Sequence, residues 1–510
     1  MHASPKILEE LALHPALWIA SLLLLASGSA LGWGTPLIPW FLLLLAPWIL
    51  HKKWLHLLLS LCLMCAMYTY TTISLPSSLP TESLKGVGVF SFSEIRKEES
   101  PFGRSLVYIG NAAYFKSGSH APLRNIPCRI YTQEKKKIFG IPPIFSNYLI
   151  EGTLIPKKKG LFLFKPNTSH WHPIKNTVSL AELRYQWKMH VEKSLAKHFS
   201  KSPVLSFFSS LTIGIGGDRE IAHQFRALGL SHILAISGFH FALFSTLLLF
   251  FLRILFKESI ALAISLILLA AYAFFLGSSP SIQRSWIAVS LFMIARLLGW
   301  RTTALSALGA GLIVELLCNP NIASNLGFQL SFLITGSILL FYRPSEALIA
   351  MCFTQKTADE FEALSLFEKV MCTVSCYLRK SLALGLAIYS TLAAASFLYF
   401  SAFSLTGFLY NLLYTPLISL SMILLYITLP IDLVLHPLGK ILHLWNKEYT
   451  ETLLSMIASP PYTYSIYITP SSWIPWGFSI WMFLLIIFYF PLYTQTTSKV
   501  GQETGSKRRK

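Results

Sequence analysis

Apolar runs that approach the length of a membrane span recur along this sequence, and they restrict its fold more than any other feature. A helix needs about 20 apolar residues to cross the hydrocarbon core, where every backbone polar group must be bonded within the protein. The runs cover residues 16–33, 36–50, 54–74, 231–252, 259–276, 282–299, 303–318, 326–342, 381–402, 405–430 and 473–494. Only 13% of the residues are charged, against about 25% in a soluble domain. These features predict a polytopic α-helical membrane protein with about ten to twelve spans.

The distribution of basic residues predicts which side of the membrane each loop faces. His51, Lys52 and Lys53 form a short basic loop between the second and third runs. The positive-inside rule places this loop in the cytoplasm, so the third run crosses outward and residues 76–200 lie outside. Basic residues return in alternate later loops, at Arg253 and Lys257, at Arg296 and Arg301, and at Arg343. We therefore expect a multi-pass protein of the bacterial inner membrane, without a cleavable signal peptide.

The segment after the third run is predicted to be a small β domain. Short β-rich stretches occupy residues 86–92, 105–110, 128–132, 148–155 and 161–165, and clusters of Gly, Pro, Asn and Lys separate them. Five such strands favour a small barrel of the OB type, with a plain sandwich as the alternative. Residues 76–201 contain 20 Lys or Arg and 8 Glu, a net charge of +12. This surface can meet nucleic acid, anionic lipid or only water.

Two interpretations of the lysines and aromatic residues in this domain remain open. Lysines in the turns between strands could contact DNA, while Phe162, Phe164 and Trp171 stack on its bases, as in single-strand binders. Alternatively, the aromatic side chains form the core and the lysines are only solvent-exposed residues of the turns. The candidate DNA contacts are Lys135, Lys136, Lys137, Lys157, Lys158 and Lys159.

Amphipathic segments connect the β domain to the later spans. Residues 180–200 are predicted to form a helix along the membrane surface, and Asp218 can cap a short helix with Ile221, Phe225 and Leu228 on one face. Farther along, we expect residues 343–380 to be a charged loop and residues 434–458 to be an amphipathic surface helix.

Polar residues interrupt several of the apolar runs. Residues 228–243 read LGLSHILAISGFHFAL, with Ser231, His232, Ser237 and His240 at membrane depth. Such groups are costly in lipid and usually face a bundle interior or a water-filled path. On a continuous helix the two histidines would lie about 80° apart, and Ser237 about 60° beyond His240. The alternative is that His232 only anchors the helix at the membrane interface.

Further polar groups extend this pattern into other spans. The candidates for a water-filled path are Ser231, His232, Ser237, His240, Gln283, Arg284, Asn325, Gln329, Ser331 and Asn411. Polar groups that recur across at least four spans indicate a wet lumen rather than isolated core hydrogen bonds.

Common catalytic patterns are missing from the sequence. It contains no G-x-x-x-x-G-K-[ST], H-E-x-x-H, G-x-S-x-G or H-x-H-x-D-H. Cys62 and Cys65 have C-x-x-C spacing but lie in an apolar helix, so we interpret them as small core residues rather than a zinc or redox pair. We expect no catalytic residues, no metal and no cofactor.

One long segment resembles a known family. GDREIAHQFRALGLSHILAISGFHFAL is similar to the signature of the ComEC competence proteins, and QRSWIAV, RTTALSALGAGLIVELLCNP, LGFQLSFL and YNLLYTPLISL follow in the same order. The resemblance covers residues 205–430. It implies an inner-membrane channel that admits one DNA strand during transformation, with a periplasmic DNA receptor and a cytoplasmic helicase-like ATPase as partners.

The resemblance also bears on enzymatic activity and on domain organisation. Many members carry a carboxy-terminal metallo-β-lactamase-like domain, held to degrade the other strand, whose metal ligands are missing here; we therefore expect no nuclease. The expected domains are a hairpin and third span (1–75), a periplasmic OB-like domain (76–180), interfacial helices (181–230), a competence-type transmembrane channel domain (231–495) and a basic cytoplasmic tail (496–510).

Two other functions fit parts of the sequence. A transporter of a small anionic solute or lipid precursor would also need polar spans, but it does not explain the basic β domain. A structural scaffold in contact with membrane lipids would not need polar groups in several spans. The sequence does not fix an oligomeric state.

Overall fold

The fold is known from a computed structural model. The structure describes residues 14–489 except 51, 76–81, 101–102, 119–122, 134–146, 158–161, 168–170, 175–179, 200–202, 215–217, 235, 237, 278, 301–302, 353–359, 361, 363, 461 and 470. The helices are α1 (Pro15–Ala30), α2 (Ile38–Leu50), α3 (Trp54–Ser74), α4 (Leu180–Phe199), α5 (Pro203–Ile213), α6 (Arg219–Ala227), α7 (Ser231–Leu234), α8 (Gly238–Leu255), α9 (Glu258–Leu276), α10 (Pro280–Leu297), α11 (Ala304–Cys318), α12 (Leu326–Ala350), α13 (Leu366–Phe400), α14 (Gly407–Val434), α15 (His436–Ala458) and α16 (Ile474–Tyr489). The strands are β1 (Leu84–Ser100), β2 (Gly103–Lys116), β3 (Leu123–Gln133), β4 (Asn147–Pro156), β5 (Phe162–Pro166), β6 (His172–Pro173), β7 (Ala402–Ser404) and β8 (Ser465–Tyr467).

Among the described residues, six helices are long and apolar enough to cross a membrane: α3, α8, α9, α12, α13 and α14. Shorter apolar helices cover Pro15–Ala30, Thr35–Leu45, Pro203–Ile213, Ala304–Cys318 and Ile474–Tyr489. By the length and composition of its helices, this is a multi-pass membrane protein.

Five strands between α3 and α4 close into a barrel, as the sequence predicts. Their order is β1-β2-β3-β5-β4, and β4 pairs with β1 to complete the ring. All pairs are antiparallel except β3 with β5. The long strand β1 pairs with β2 on one edge and with β4 on the other. Its register with β2 shifts after Val89 and after Phe92, and such bulges bend a strand. The closed five-stranded ring matches the OB-type barrel.

Most aromatic residues of the barrel, including the three candidates for base stacking, lie in its interior. Phe162, Phe164 and Trp171 are at most 2% exposed. The ring of Trp171 lies 5.0 Å from that of Tyr108 and 5.7 Å from that of Phe92, distances typical of aromatic packing. The interpretation of these residues as base-stacking faces is therefore wrong, and they form the core. Lys157 is exposed after β4, whereas Lys135, Lys136, Lys137, Lys158 and Lys159 lie outside the described residues.

The chain divides into two compact units. The first contains Met1–Thr72, Leu298–Tyr414 and Tyr462–Lys510, and the second contains Ile73–Leu297 and Thr415–Pro461. In the first unit, α1 packs on α11 and α12 packs on α13. The barrel, helices α4 to α10 and the α14–α15 connection belong to the second unit, which holds the cavity described below.

Two predictions about the helices are wrong. Residues 343–380 are not a charged loop, because α12 continues to Ala350 and α13 begins at Leu366. Charged residues of this segment stabilise the two helices. Glu346 of α12 and Arg379 of α13 approach to 3.7 Å, and Glu368 forms a capping box with Ser365 at the start of α13. Cys62 and Cys65 are exposed on α3 rather than buried in a core.

Candidate functional site

The segment with the signature histidines is two helices rather than one. Helix α7 covers Ser231–Leu234, and α8 begins at Gly238; residue 235 and Ser237 lie outside the described residues. The carbonyl of Ile236, which lies between the two helices, accepts a hydrogen bond of 2.9 Å from the Ser281 hydroxyl of α10. The angular positions derived for one continuous helix therefore do not apply to His232 and His240.

The start of α8 lies close to helix α10. A Cβ atom at Gly238 would lie 2.8 Å from Oγ of Ser285 and 2.9 Å from Nη2 of Arg284, closer than real side chains come. Glycine lets these two side chains of α10 lie against the start of α8 without shifting. Gly229, just before α7, has φ of +71° and allows the preceding turn.

A cavity of about 370 Å³, with a mainly apolar surface and several charged and hydroxyl residues in its wall, lies in the second unit, where this broken segment meets the barrel. That volume falls within the range of ligand sites, about 300–1,000 Å³. Strand β1, helices α4, α5 and α6, the α7–α8 connection and the start of α10 all contribute to it. Its polar lining residues are Glu94, Arg96, Lys188, Ser206, Ser210, Asp218, Ser279 and Ser281.

The basic lining residues are fixed by defined partners. Arg96 forms an ion pair of 2.8 Å with Glu94. Lys188 is only 4% exposed, and its Nζ donates 2.7 Å to the carbonyl of Leu276 at the end of α9. Burial lowers the pKa of Lys188 from 10.5 to about 8, although the nearby Glu94 carboxylate opposes that effect. The amine is therefore still largely charged at neutral pH.

Helix α4 is fastened to the end of α9 by a second cation. Arg184 donates from Nε to the carbonyl of Phe274 at 2.6 Å and from Nη1 to the carbonyl of Ser93 at 3.0 Å. The last turn of a helix leaves its carbonyls unbonded and carries partial negative charge, which cations stabilise. These contacts hold α4, α9 and strand β1 around the cavity.

Asp218 has the role predicted from the sequence. Its carboxylate accepts a hydrogen bond of 2.9 Å from the backbone N–H of Glu220 and caps α6. Ile221, Phe225 and Leu228 are at most 5% exposed, so the predicted apolar face is confirmed. The cap places the Asp218 carboxylate at the cavity wall.

The other predicted path residues of the second unit lie apart from this lining. Ser231 and His232 are exposed, while Gln283 is half-buried. His240 is 1% exposed and Arg284 is 7% exposed. A role for these five residues in a DNA path stays a prediction.

The predicted residues of the first unit have local hydrogen bonds. Asn325 caps α12 by accepting from the N–H groups of Gly327 and Phe328. Gln329 donates 2.6 Å to the carbonyl of Ala323. Asn411 donates 2.9 Å to the hydroxyl of Tyr389, and Ser331 is half-buried. Whether they also line a path stays a prediction.

Sequence reasoning missed two groups of polar residues. Glu94, Arg96 and Lys188 are far from the signature segment in sequence, and only the fold brings them to it. Their signal was weak, since Glu94 stands between the apolar residues Phe92 and Ile95 like any surface residue of a strand. The second group is a cluster of His198, Asp432 and His443, which three different helices supply.

Comparisons with known proteins match part of the chain. The family model described as Competence protein matches residues 216–492. The chain is similar to ComE operon protein 3 of Bacillus subtilis (strain 168), at 32% identity over 162 residues, which are 29% of this chain and 20% of that protein. The aligned part thus spans a fifth of that relative. No solved structure matches the chain.

Proposed function

The chain belongs to the competence protein family, and from this membership we propose that it conducts a single strand of DNA across the bacterial inner membrane during natural transformation. The observation that carries this proposal is the cavity of the second unit. The family-matched segment supplies Asp218, Ile236 and Ser281 to its wall, and the barrel and α4 supply charged groups.

The charged residues of this cavity suit a polyanion that must move through it without binding tightly. Arg96 and Lys188 bring positive charge to the wall, and Glu94 and Asp218 balance it. Each phosphate that a cation neutralises releases counterions and adds affinity, so a lumen rich in lysine would hold DNA too tightly. In this proposal, neutral polar groups in the spans, such as His240 and Gln329, contact phosphates without holding them.

Movement along such a path requires an external motor. We propose that a cytoplasmic helicase-like ATPase supplies it, and that a periplasmic receptor delivers DNA to the basic barrel. The proposal retains about ten to twelve spans, some of them formed by the shorter apolar helices. It also retains the five domains expected from the sequence. The barrel then lies on the periplasmic side.

The test follows fluorescent DNA in a transformable strain whose corresponding gene is replaced by this chain. Periplasmic and cytoplasmic DNA are scored separately, and protein abundance is measured beside them. We expect His240→Leu and Gln329→Leu to stop entry into the cytoplasm while periplasmic DNA and abundance stay normal. His223→Leu, at an exposed position on α6, is the matched control and should transport normally.

Charge substitutions at Arg284 sharpen this test. Arg284→Glu should impair entry more than Arg284→Gln, because a negative charge near the path repels phosphates. Normal DNA entry in Arg284→Glu and in both leucine variants would place the path elsewhere. Normal DNA entry in the deletion strain itself, with loss of a small anionic solute instead, would favour the transporter.

A further inference from the structure

Three side chains with metal-binding atoms meet in the second unit, away from the cavity. His198 lies near the end of α4, Asp432 near the end of α14, and His443 in α15. One ligand atom from each lies within 4.8 Å of the others. Nε2 of His198 is 3.4 Å from Oδ2 of Asp432, and the His198 ring stacks on that of His443 at 4.2 Å.

His443 is the group that ordinary packing does not explain. It is 2% exposed, and among the described residues neither of its ring nitrogens has a hydrogen-bond partner. Buried polar atoms are almost always bonded, so an exception calls for an ion or a water. A neutral imidazole nitrogen is the form that binds metals.

The carboxylate is positioned by the backbone around it. Helices α14 and α15 are joined by Leu435 alone, and a side chain at Gly439 would collide with Asp432. This glycine lets α15 approach the end of α14. The other carboxylate oxygen of Asp432 lies 3.0 Å from Nδ1 of the exposed His436, a contact that orients a ligand from outside the site.

We propose that His198, Asp432 and His443 bind one divalent transition-metal ion, with Zn²⁺ as the preferred ion. Two imidazole nitrogens and one carboxylate oxygen form a borderline ligand set suited to zinc. Zinc lies about 2.0–2.2 Å from such ligands, so small side-chain rotations bring the three atoms together. Water completes the coordination, and the ion links the end of α4 to the α14–α15 connection. This site is independent of the proposed DNA path.

The test measures metal binding by the full-length chain, purified in detergent without a histidine tag and stripped with EDTA. Zinc content and competition with a chromogenic chelator should give about one tightly bound Zn²⁺ per chain. His443→Ala and Asp432→Asn should each weaken binding by at least about tenfold, and His190→Ala should not. His190 is the matched control because it is exposed on the same helix as His198. Cobalt should give the visible spectrum of a tetrahedral site only in the wild type and in His190→Ala.

Thermal unfolding provides a second readout. Zinc should raise the Tm of the stripped wild type and of His190→Ala, because an ion that binds only the folded state stabilises it. It should not raise the Tm of Asp432→Asn. If His443→Ala does not fold, the comparison of Asp432→Asn with His190→Ala decides. Absence of stoichiometric zinc, or equal binding by all variants, would overturn the proposal and leave His198 and Asp432 as an ordinary ion pair.

Discussion

The amine of Lys188 gives the protein a measurable dependence of stability on pH. Its pKa is lowered by burial from 10.5 to about 8, so between these values the unfolded chain holds a proton that the folded chain has released. Stability rises with pH wherever the unfolded state binds more protons. This one residue therefore contributes a gain of up to about 3 kcal/mol as the pH rises from about 8 to about 10.5.

We expect Lys188→Met to remove this rise. At pH 7 the variant loses the donor to the carbonyl of Leu276 but no longer buries a charged amine, so its stability there reflects both effects. Its Tm should also increase less between pH 7.5 and 9.5 than the Tm of the wild type. The measurement is thermal unfolding of the detergent-purified protein across this range.

A lysine on the same helix controls for the loss of a charge as such. Lys193 is exposed on α4, so Lys193→Met should keep the pH dependence of the wild type. Equal slopes for the wild type and Lys188→Met would show that Lys188 is not buried as described.

At the scale of elements, the barrel buries most of its aromatic residues and exposes basic ones. Phe162, Phe164 and Trp171 lie in its core, whereas Lys157 is exposed after β4. No base can stack on these three rings while the core stays folded, although Tyr131 is exposed on β3. We therefore expect phosphate contacts to dominate DNA binding by this domain.

We expect residues 82–176, produced as a separate protein, to bind single-stranded DNA weakly and with strong salt dependence. The logarithm of the binding affinity should fall linearly with the logarithm of the salt concentration, with a slope of about −0.7 per phosphate neutralised. Lys157→Glu should make this slope shallower. Trp171 is the single tryptophan of this segment, and its fluorescence should not change on binding. Filter binding and fluorescence titration measure these quantities.

Two results would contradict this account of the barrel. Quenching of Trp171 by DNA would mean that bases reach the core. Binding that does not depend on salt, or no binding even at about 50 mM salt, would mean that the basic surface contacts water and not DNA phosphates.

Periodicity and charge predict the elements here better than they predict their ends. The strands of the barrel and the cap at Asp218 follow from local signals, because alternation and capping depend on neighbouring residues. The extension of α12 past Arg343 does not, since charged residues are equally compatible with a loop and with a helix beyond the membrane. The close approach of Gly238 to Arg284 and Ser285 is a tertiary contact, which no local pattern contains.

The candidate sites were predictable only in part, for the same reason. The signature segment marks one wall of the cavity, but Lys188 and Glu94 reach it only through the fold. Asn325 and Gln329 are polar in an apolar run whether they cap a helix or line a path, so their residue types cannot distinguish these roles. His198 and His443 are too far apart in sequence to show a metal-ligand spacing.

At the scale of the whole molecule, contacts within the second unit agree with the topology expected from charge. One long apolar helix, α8, separates the barrel and α4 from the basic loop at Arg253 and Lys257. If that loop is cytoplasmic, α9 returns outward, and its end must lie on the side of the barrel. The hydrogen bonds from Arg184 and Lys188 to the last carbonyls of α9 place it there.

Two exposed positions on either side of α8 should therefore have opposite accessibility. In a chain whose seven native cysteines are replaced by serine, Glu151→Cys on β4 should react with a membrane-impermeant maleimide applied from the periplasm. Lys257→Cys, between α8 and α9, should react only after the inner membrane is permeabilised. The two positions control for each other, because both are exposed in the same compact unit. Labelling of both positions before permeabilisation would mean that α8 does not cross the membrane. Labelling of Lys257→Cys alone would invert the topology and place the barrel in the cytoplasm.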